Sequence, residues 1–486
     1  MSSVVEGKND GRRWLTVLVV TVSAFMVALD TTIVNIAIPQ LQKAFKVDVA
    51  AAQWIVTTYM LAVGAITPLS SFLANRIGIR RSFLVALGVF TAGSALCSLA
   101  PTLGFLVASR VVLALGGGPV LTLAITYVLR AYPPDNRATA IATVQVPALF
   151  APMLGPVVGG LIISVASWRY VFLINVPIGL AALVLGIIFL PEHPVDSRGR
   201  FDVLGFVTVA PGFVALLFGL SQGAKIGWGS PVVLATLAVG AALLVFFVLW
   251  ELNVARAGRA PLLDLRLFRL RSFWAGVTAL ALLGCVLFWP NFIMPIYLQS
   301  LRAMSPAHSG LVMASLALGS MVFALIGGLI ADRIGTKTVS LIGVCALAVV
   351  SWLFSRITLA TPVWQIAVLL GARGMCSGLS LQPLFAAAMI DVRDPAEVAH
   401  GSTLTTMIRN VGGAVGTGLL VSLAQMWAGS FLRTASAGSQ ATTQIRAQAQ
   451  IVGIQDTVLL SAAVTIVAIG FVFVLRNKGK TAEAGR

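Results

Sequence analysis

A carboxylate lies within the first long apolar stretch of the chain. The segment LDTTIVNIAIPQL, residues 29–41, carries Asp30, Thr31 and Asn35 among aliphatic side chains. An ionisable group is costly in hydrocarbon, and where one occurs it usually faces a cavity, a partner or an ion path. Burial favours the neutral form of a carboxyl group and a nearby arginine favours the charged form, so together they can bring its titration into a useful range. Asp30 is therefore a candidate for reversible protonation.

Three arginines are candidate partners of this acid because they also lie deep in apolar stretches. They are Arg110, Arg373 and Arg409, whereas Asp30 is the only acid that we place well inside a span. A static ion pair that only fixes helix packing fits the same residues. For Arg373 and Arg409, structural and functional roles are equally compatible with the sequence.

The elements that position these residues are predicted to be membrane-spanning helices. The chain has 486 residues, of which 58% are hydrophobic and 10% charged, whereas soluble domains carry about 25% charged residues. Helices are expected because lipid cannot satisfy an open backbone. The predicted spans are residues 15–38, 52–73, 82–100, 104–128, 139–164, 170–190, 203–221, 231–250, 273–297, 309–330, 338–355, 363–388, 401–427 and 457–475.

The basic residues predict the orientation of these spans. The net charge of +17 does not indicate nucleic acid binding, because the basic residues lie in short loops. With the N-terminus in the cytoplasm, 22 of the 33 Lys and Arg residues fall inside and 8 outside. Since inside loops are enriched in Lys and Arg, we expect a multi-pass protein of the inner (cytoplasmic) cell membrane with both termini cytoplasmic.

Two motifs recur in the two halves of the chain. SSFLANRIGIRRSF (70–83) resembles GGLIADRIGTKTVS (327–340), and the segment 109–124 resembles 372–387 around Arg110 and Arg373. Paired motifs at matching places are typical of a duplicated transporter fold. We therefore predict an all-α membrane fold with two six-helix bundles and two inserted helices.

This repeat predicts a domain organisation for the whole chain. The predicted segments are a cytoplasmic N-terminus 1–14, an N-terminal bundle 15–190, two extra helices with a basic cytoplasmic linker 191–272, a C-terminal bundle 273–476 and a cytoplasmic C-terminus 477–486. Within the linker, residues 251–272 are expected to form in part an interfacial amphipathic helix. Residues 428–456 are expected to be the longest outside loop.

The repeated loop and the fifth span are the candidate gating elements. Gly78 is expected to need a positive φ in a tight turn, and the glycines of the segment APMLGPVVGG (151–160) are expected to allow a kink and close packing. Plain positive-inside charge and generic small-residue packing remain open for these motifs. The candidate gating residues are Asn75, Arg76, Gly78, Arg80, Arg81, Gly155, Pro156, Gly159, Gly160, Asp332, Arg333, Gly335 and Lys337.

Polar, aromatic and Met side chains within the spans are candidates for a substrate cavity. For a single aromatic or Met residue, simple packing is the stronger interpretation. The cavity candidates are Thr31, Asn35, Tyr59, Gln145, Asn291, Met294, Tyr297 and Gln382. The cysteines and histidines form no metal-binding pattern, and no phosphate-binding GxxxxGK[ST] loop occurs, so we expect no metal and no nucleotide-driven step.

These motifs resemble the fourteen-helix drug:proton antiporter branch of the major facilitator superfamily. The resemblance rests on LDTTIVNIAIPQL, the loops NRIGIRR and ADRIGTK, Arg110 with the glycines that follow it, GPVVGG, WRYVFLINVPIG (168–179) and IRNVGGAVGTG (408–418). The first loop departs from the family pattern because Ser71 replaces the usual Gly and Asn75 the usual Asp. The acid of that motif is kept only in the second copy, as Asp332.

The resemblance implies a transporter rather than an enzyme. It implies multidrug efflux of amphipathic small molecules in exchange for protons by alternating access, without a cofactor, with Asp30 as the proton-coupling acid and Arg110 as its partner. A monomer is expected, and a periplasmic adaptor is left open. The alternatives are a dedicated exporter of one metabolite, antibiotic or lipid, an uptake symporter on the same fold, and a non-transporting membrane receptor or scaffold.

Overall fold

The computed structural model describes residues 2–131, 137–192, 202–257, 263–392, 395–435 and 443–476, and this part of the chain is helical without a strand. Its α-helices are α1 Ser2–Ile33, α2 Ile38–Phe45, α3 Val49–Ile77, α4 Ile79–Ser98, α5 Leu103–Ala131, α6 Arg137–Val165, α7 Arg169–Leu173, α8 Asn175–Phe189, α9 Val203–Ile226, α10 Pro231–Arg256, α11 Arg271–Ile296, α12 Pro306–Ile334, α13 Thr336–Phe354, α14 Val363–Ala388, α15 Pro395–Ala435 and α16 Thr443–Val474.

The helices correspond to the fourteen predicted spans. Within the described residues, 11 helical segments are long and apolar enough to cross a membrane, and α1 with α2 and α7 with α8 each count as one of them. Two shorter apolar segments, Phe150–Val165 in α6 and Val207–Leu220 in α9, together with α14, complete the set. The predicted all-α membrane fold with fourteen spans is confirmed.

The first of two compact units places α1, α5 and α8 around a common centre. This unit comprises Met1–Asp202 with Ser305–Leu311. Helix α1 packs against α5, α6 and α8, while α4 packs against α5 and α8, and α3 against α5. Polar side chains on the facing surfaces of these helices are therefore brought together inside the unit.

The second unit, Val203–Met304 with Val312–Arg486, is built around α11. Helix α11 packs against α14, α15 and α16, and the inserted helix α9 packs against α10 and α15. Buried aliphatic side chains such as Leu283, Leu347 and Leu384 fill its core. The proposed limits of the six-helix bundles and of the linker remain predictions.

Two segments predicted as loop or amphipathic helix differ from the structure. Helix α10 continues to Arg256, and a short 3₁₀ helix, Leu265–Arg269, follows the undescribed residues, so the amphipathic helix stays a prediction. The loop predicted at 428–456 is mostly helical, because α15 continues to Ala435 and α16 begins at Thr443. Ala and Gln, which are frequent in that segment, are good helix formers, so the helices extend beyond the apolar stretches.

Candidate functional site

Asp30 lies near the C-terminal end of the first α-helix and is fully buried. The α-helix gives way at Val34–Ala37 to a 3₁₀ turn, in which the N–H of Ile38 donates to the carbonyl of Asn35. Pro39 follows at the start of α2 and has no N–H to continue the α-helical hydrogen bonds. The proline therefore helps to explain why the regular helix ends just after the acid.

Arg110 of α5 holds the carboxylate of Asp30 in an ion pair. Its Nη1 lies 2.6 Å from Asp30 Oδ2, and both side chains are almost completely buried. The Nε of Arg110 donates to the carbonyl of Ile55 on α3 at 3.1 Å. The structure therefore brings together the acid and the arginine that the sequence analysis selected.

Two buried polar residues that sequence reasoning missed complete this network. The Nδ2 of Asn175 on α8 lies 3.0 Å from Asp30 Oδ1 and 3.1 Å from Ser94 Oγ on α4. The hydroxyl of Ser94 donates to the carbonyl of Phe172 at 2.9 Å. The sequence feature that could have identified Asn175 is an amide side chain in an otherwise apolar span, within the motif WRYVFLINVPIG.

Aromatic rings and a thiol surround the ion pair. The Arg110 guanidinium carbon lies 4.1 Å from the ring centroid of Tyr59 and 5.9 Å from that of Phe172. Both distances are within the range of cation–π attraction. Cys97 of α4 is fully buried beside the charged pair. Tyr59, predicted to line a cavity, is itself buried and packs on the arginine.

Thr31 and Asn35 do not share the environment of Asp30. Thr31 is exposed and its hydroxyl donates to the carbonyl of Ala28, whereas the Asn35 amide donates to the carbonyl of Thr31. The reason is that Asp30 is buried among the packed helices, and the helix changes type before Asn35.

The other two intramembrane arginines lie in the second unit and have different surroundings. Arg373 of α14 is buried, and its Nη1 and Nη2 donate to Ser351 Oγ at 2.7 Å and to the carbonyl of Val286 at 2.8 Å. Arg409 of α15 is partly exposed, and its Nε is buried without a hydrogen-bond partner in the described part of the chain. The structure places no described acid at either arginine.

The remaining cavity candidates occupy two kinds of position. Met294 and Tyr297 are fully buried, and the Tyr297 hydroxyl donates to the carbonyl of Thr358 at 2.8 Å. Asn291 is partly exposed and Gln382 is exposed, and the Asn291 amide donates to the carbonyl of Leu287 on its own helix. Gln145 lies outside the residues whose side chains the structure describes.

The repeated gating loops have the same backbone geometry and the same helix-end contact. Gly78 has φ of 88° and Gly335 has φ of 94°, so the predicted positive φ is confirmed. Arg80 donates to the carbonyl of Ile187 at 2.6 Å, and Lys337 donates to the carbonyl of Phe473 at 2.7 Å. A cation is thus bound at the C-terminal end of the last helix in each half, where the helix dipole favours it.

The other residues of the gating motifs fall into exposed and undescribed positions. Arg81 is mainly exposed and lies 4.0 Å from Glu192, which also pairs with Arg80 at 3.4 Å. Arg76 and Arg333 are exposed. The side chains of Asn75 and Asp332 lie outside the residues whose side chains the structure describes.

The glycines of the fifth span make close helix contacts. A Cβ added to Gly155 would clash with Thr32 Oγ1 on α1, and one added to Gly159 would lie 2.5 Å from Ile36 Cγ2. An added Cβ at Gly160 would lie 2.5 Å from the carbonyl oxygen of Pro306. Pro156 lies inside the helix. The expected close packing of this segment is therefore observed at its glycines.

A further buried acid, Glu251, lies in α10. The sequence analysis assigned it to the linker, but the helix continues past it and the side chain is fully buried. The N–H of Leu263 donates to Glu251 Oε2 at 3.4 Å. Nearby, Arg266 forms a bidentate contact with Asp264 at 2.9 Å for both pairs of atoms, and its side-chain hydrogen bond holds the pKa of Asp264 below its usual value. These contacts order the linker next to α11.

The fold and the buried polar site define a multi-pass helical membrane protein of the transporter class. A model of the Major Facilitator Superfamily matches residues 20–417, so the chain belongs to that superfamily, whose members are transporters of small molecules and not enzymes. This membership confirms the superfamily resemblance that the repeated loops and the first-span motif indicated.

Relatives and solved structures agree with this membership. The chain is 33% identical over 412 residues to the multidrug resistance protein B homolog of Mycobacterium tuberculosis. The aligned region covers 83% of this chain and 74% of the relative. It is 29% identical over 483 residues, 99% of each chain, to the uncharacterized MFS-type transporter YcnB of Bacillus subtilis. A bacterial homolog of the human lysosomal transporter Spinster matches with a TM-score of 0.65 at 15% identity, over 94% of this chain and 95% of that chain, which shows the fold alone.

Proposed function

We propose that this protein is a proton-coupled multidrug efflux antiporter that exports amphipathic, cationic or neutral small molecules by alternating access. It works in the inner cell membrane as a monomer with both termini in the cytoplasm. The observation that carries the proposal is the fully buried ion pair of Asp30 and Arg110 within the spans of the first unit. The relative named for multidrug resistance supports the class of substrate.

The surroundings of the ion pair suit a carboxyl group that gains and loses a proton. Taking two charges out of water is expensive, so neutralising Asp30 removes part of that penalty. Arg110 then remains charged, but it keeps the carbonyl of Ile55 and the ring face of Tyr59 as partners. Both protonation states of Asp30 therefore leave the arginine with favourable contacts.

The proposed cycle uses this property. A proton from outside neutralises Asp30 and so removes its ion pair with Arg110. This change favours the return of the protein to the inward-facing state. Loss of the proton to the cytoplasm restores the ion pair and favours substrate capture and the outward movement. Substrate leaves as a proton enters, so the proton gradient drives export.

The test is the Asp30→Asn variant in everted membrane vesicles. We expect it to bind a dye substrate with an affinity within a few-fold of the wild type, but to release no protons when substrate is added. The matched control is Asp456→Asn, which removes an exposed acid on α16. Normal transport driven by the pH gradient in Asp30→Asn would refute the assignment. A panel of dyes and antibiotics would separate broad export from the export of one compound.

A further inference from the structure

We propose that Asn175 is the positioning residue that responds to protonation of Asp30 by rotating its side-chain amide. The inference rests on the proposed function, in which Asp30 takes up the transported proton. This role adds a residue on α8 to the coupling site and links the contacts of that helix to the charge of Asp30 on α1.

In the charged state the hydrogen-bond donors of Asn175 and Ser94 all have acceptors. Asn175 uses its two amide hydrogens on Asp30 Oδ1, at 3.0 Å, and on Ser94 Oγ, at 3.1 Å. Ser94 uses its single hydroxyl hydrogen on the carbonyl of Phe172. Arg110 occupies the other carboxylate oxygen. This arrangement fits an ionised carboxylate, which accepts hydrogen bonds and donates none.

The carbonyl end of the Asn175 side chain has no such partner. Its Oδ1 is buried and accepts no hydrogen bond from the described residues, although Asn175 itself is fully buried. A buried acceptor without a donor is unfavourable and calls for an explanation. We infer that this oxygen acquires its donor in the other protonation state of Asp30.

Protonation of Asp30 at Oδ1 reverses which end of the Asn175 amide is favoured next to the carboxyl group. The new O–H would face the N–H of Asn175, so two donors would oppose each other. A half-turn of the amide places Asn175 Oδ1 where Nδ2 was, within reach of both neighbours. The carboxyl O–H then donates to this oxygen, and the Ser94 hydroxyl can turn to it from Phe172. No bond is broken other than hydrogen bonds, and the proton stays on Asp30 until it leaves for the cytoplasm.

Neither orientation satisfies the amide completely. The first leaves the oxygen without a donor from the described residues, and the second takes both amide hydrogens away from the acceptors that they had. The proton on Asp30 changes which orientation has the better contacts, and it therefore changes the populations of the two orientations. The amide therefore behaves as a two-position element between α1, α4 and α8.

The ionisable groups around this element belong to several helices. Helix α8 packs against α1, α4 and α7. Asp30 lies on α1 and Cys97 on α4, while Arg169 of α7 donates to the carbonyl of Ala100. Arg110 on α5 pairs with the acid, and the ring of Tyr59 on α3 packs against that arginine. Among these groups Asp30 alone is hydrogen-bonded to Asn175 in the described structure.

The experiment compares the wild type with Asn175→Ala and Asn175→Ser in the full-length protein, reconstituted in liposomes. The charged carboxylate loses a donor in Asn175→Ala, so the midpoint of the transport–pH profile should move up by about one pH unit. Asn175→Ser can donate and accept, and should restore most of the profile. The control Asn253→Ala removes an exposed amide on α10 and should leave the midpoint unchanged.

An infrared signature separates this role from simple packing. At a pH where Asp30 is protonated, its C=O stretching band, identified by its loss in Asp30→Asn, should move to higher frequency in Asn175→Ala because the O–H loses its acceptor. Equal band positions and an equal pH midpoint in a folded, substrate-binding Asn175→Ala protein would overturn the proposal. If Asp30→Asn itself still exchanges protons, the proposed function fails instead.

Discussion

The two halves of the molecule each bury an arginine at the matching position of a repeated motif, but with different partners. Arg110 in the first unit pairs with the carboxylate of Asp30, whereas Arg373 in the second unit is held by the hydroxyl of Ser351 and the carbonyl of Val286. A carboxylate is neutralised when it takes up a proton, whereas a hydroxyl and a backbone carbonyl carry no charge to lose. Both halves of the duplicated fold therefore keep a buried arginine. In the described structure this arginine is paired with an acidic side chain in the first half and with neutral groups in the second.

The contacts that the halves share are those that shape the bundle. Positive-φ glycines end the helix before each repeated loop, and a cation from each loop binds the end of α8 or α16. We infer that these shared contacts serve the common architecture, while the unshared ion pair serves coupling. Three comparisons between the halves test this division.

The largest expected effect comes from truncating the two arginines. Arg110→Ala leaves a buried carboxylate without its cation, so we expect a loss of about 3–5 kcal/mol in the free energy of unfolding, and loss of coupled transport. Arg373→Ala removes hydrogen bonds to neutral groups, so we expect about 1–3 kcal/mol and retained coupling. Unfolding in detergent and substrate-induced proton release would measure both. Equal loss of coupling in the two variants would contradict the division.

An intermediate effect is expected where glycines bring helices together. A Cβ at Gly155 would clash with a side chain, Thr32, whereas one at Gly416 would clash with the backbone of Cys285 on α11. Both valine substitutions should destabilise the protein by about 1–3 kcal/mol. Gly416→Val should be the more harmful because a backbone cannot rotate away. Gly470→Val is the matched control since nothing lies within 4 Å of its added Cβ.

The smallest effect is expected at the loop cations. Arg80→Ala and Lys337→Ala each remove a cation from the end of a helix, a contribution of about 0.3–1 kcal/mol. The two thermal shifts should be similar, since the contacts with the helix ends are equivalent and the additional pair of Arg80 with Glu192 is partly exposed to solvent. Arg81→Ala serves as the comparison because that side chain is mostly exposed. A much larger loss of thermal stability in Arg80→Ala or Lys337→Ala would show that these loops do more than cap a helix.

The sequence predicted the fold well and the site in part. Long apolar stretches specify spanning helices through composition alone, and the repeated loop motif predicted the turn at Gly78 that the structure contains. Asp30 and Arg110 were selected because charge is rare in such stretches. Asn175 and Ser94 were missed, because a neutral polar residue in a span is common and only its contacts distinguish it. Glu251 was assigned to a loop because the end of an apolar stretch does not mark the end of its helix.

By itself the sequence determined the class of protein, the number of spans and the presence of an acid and three arginines within them. These properties follow from hydropathy and charge, which are read residue by residue. Only the tertiary structure decided that Arg110 pairs with the acid and that Arg373 is held by neutral oxygens. It also decided that the Nε of Arg409 has no hydrogen-bond partner among the described residues. The physical reason is that partners separated by 80 positions, as Asp30 and Arg110 are, meet only through helix packing, which no local pattern specifies.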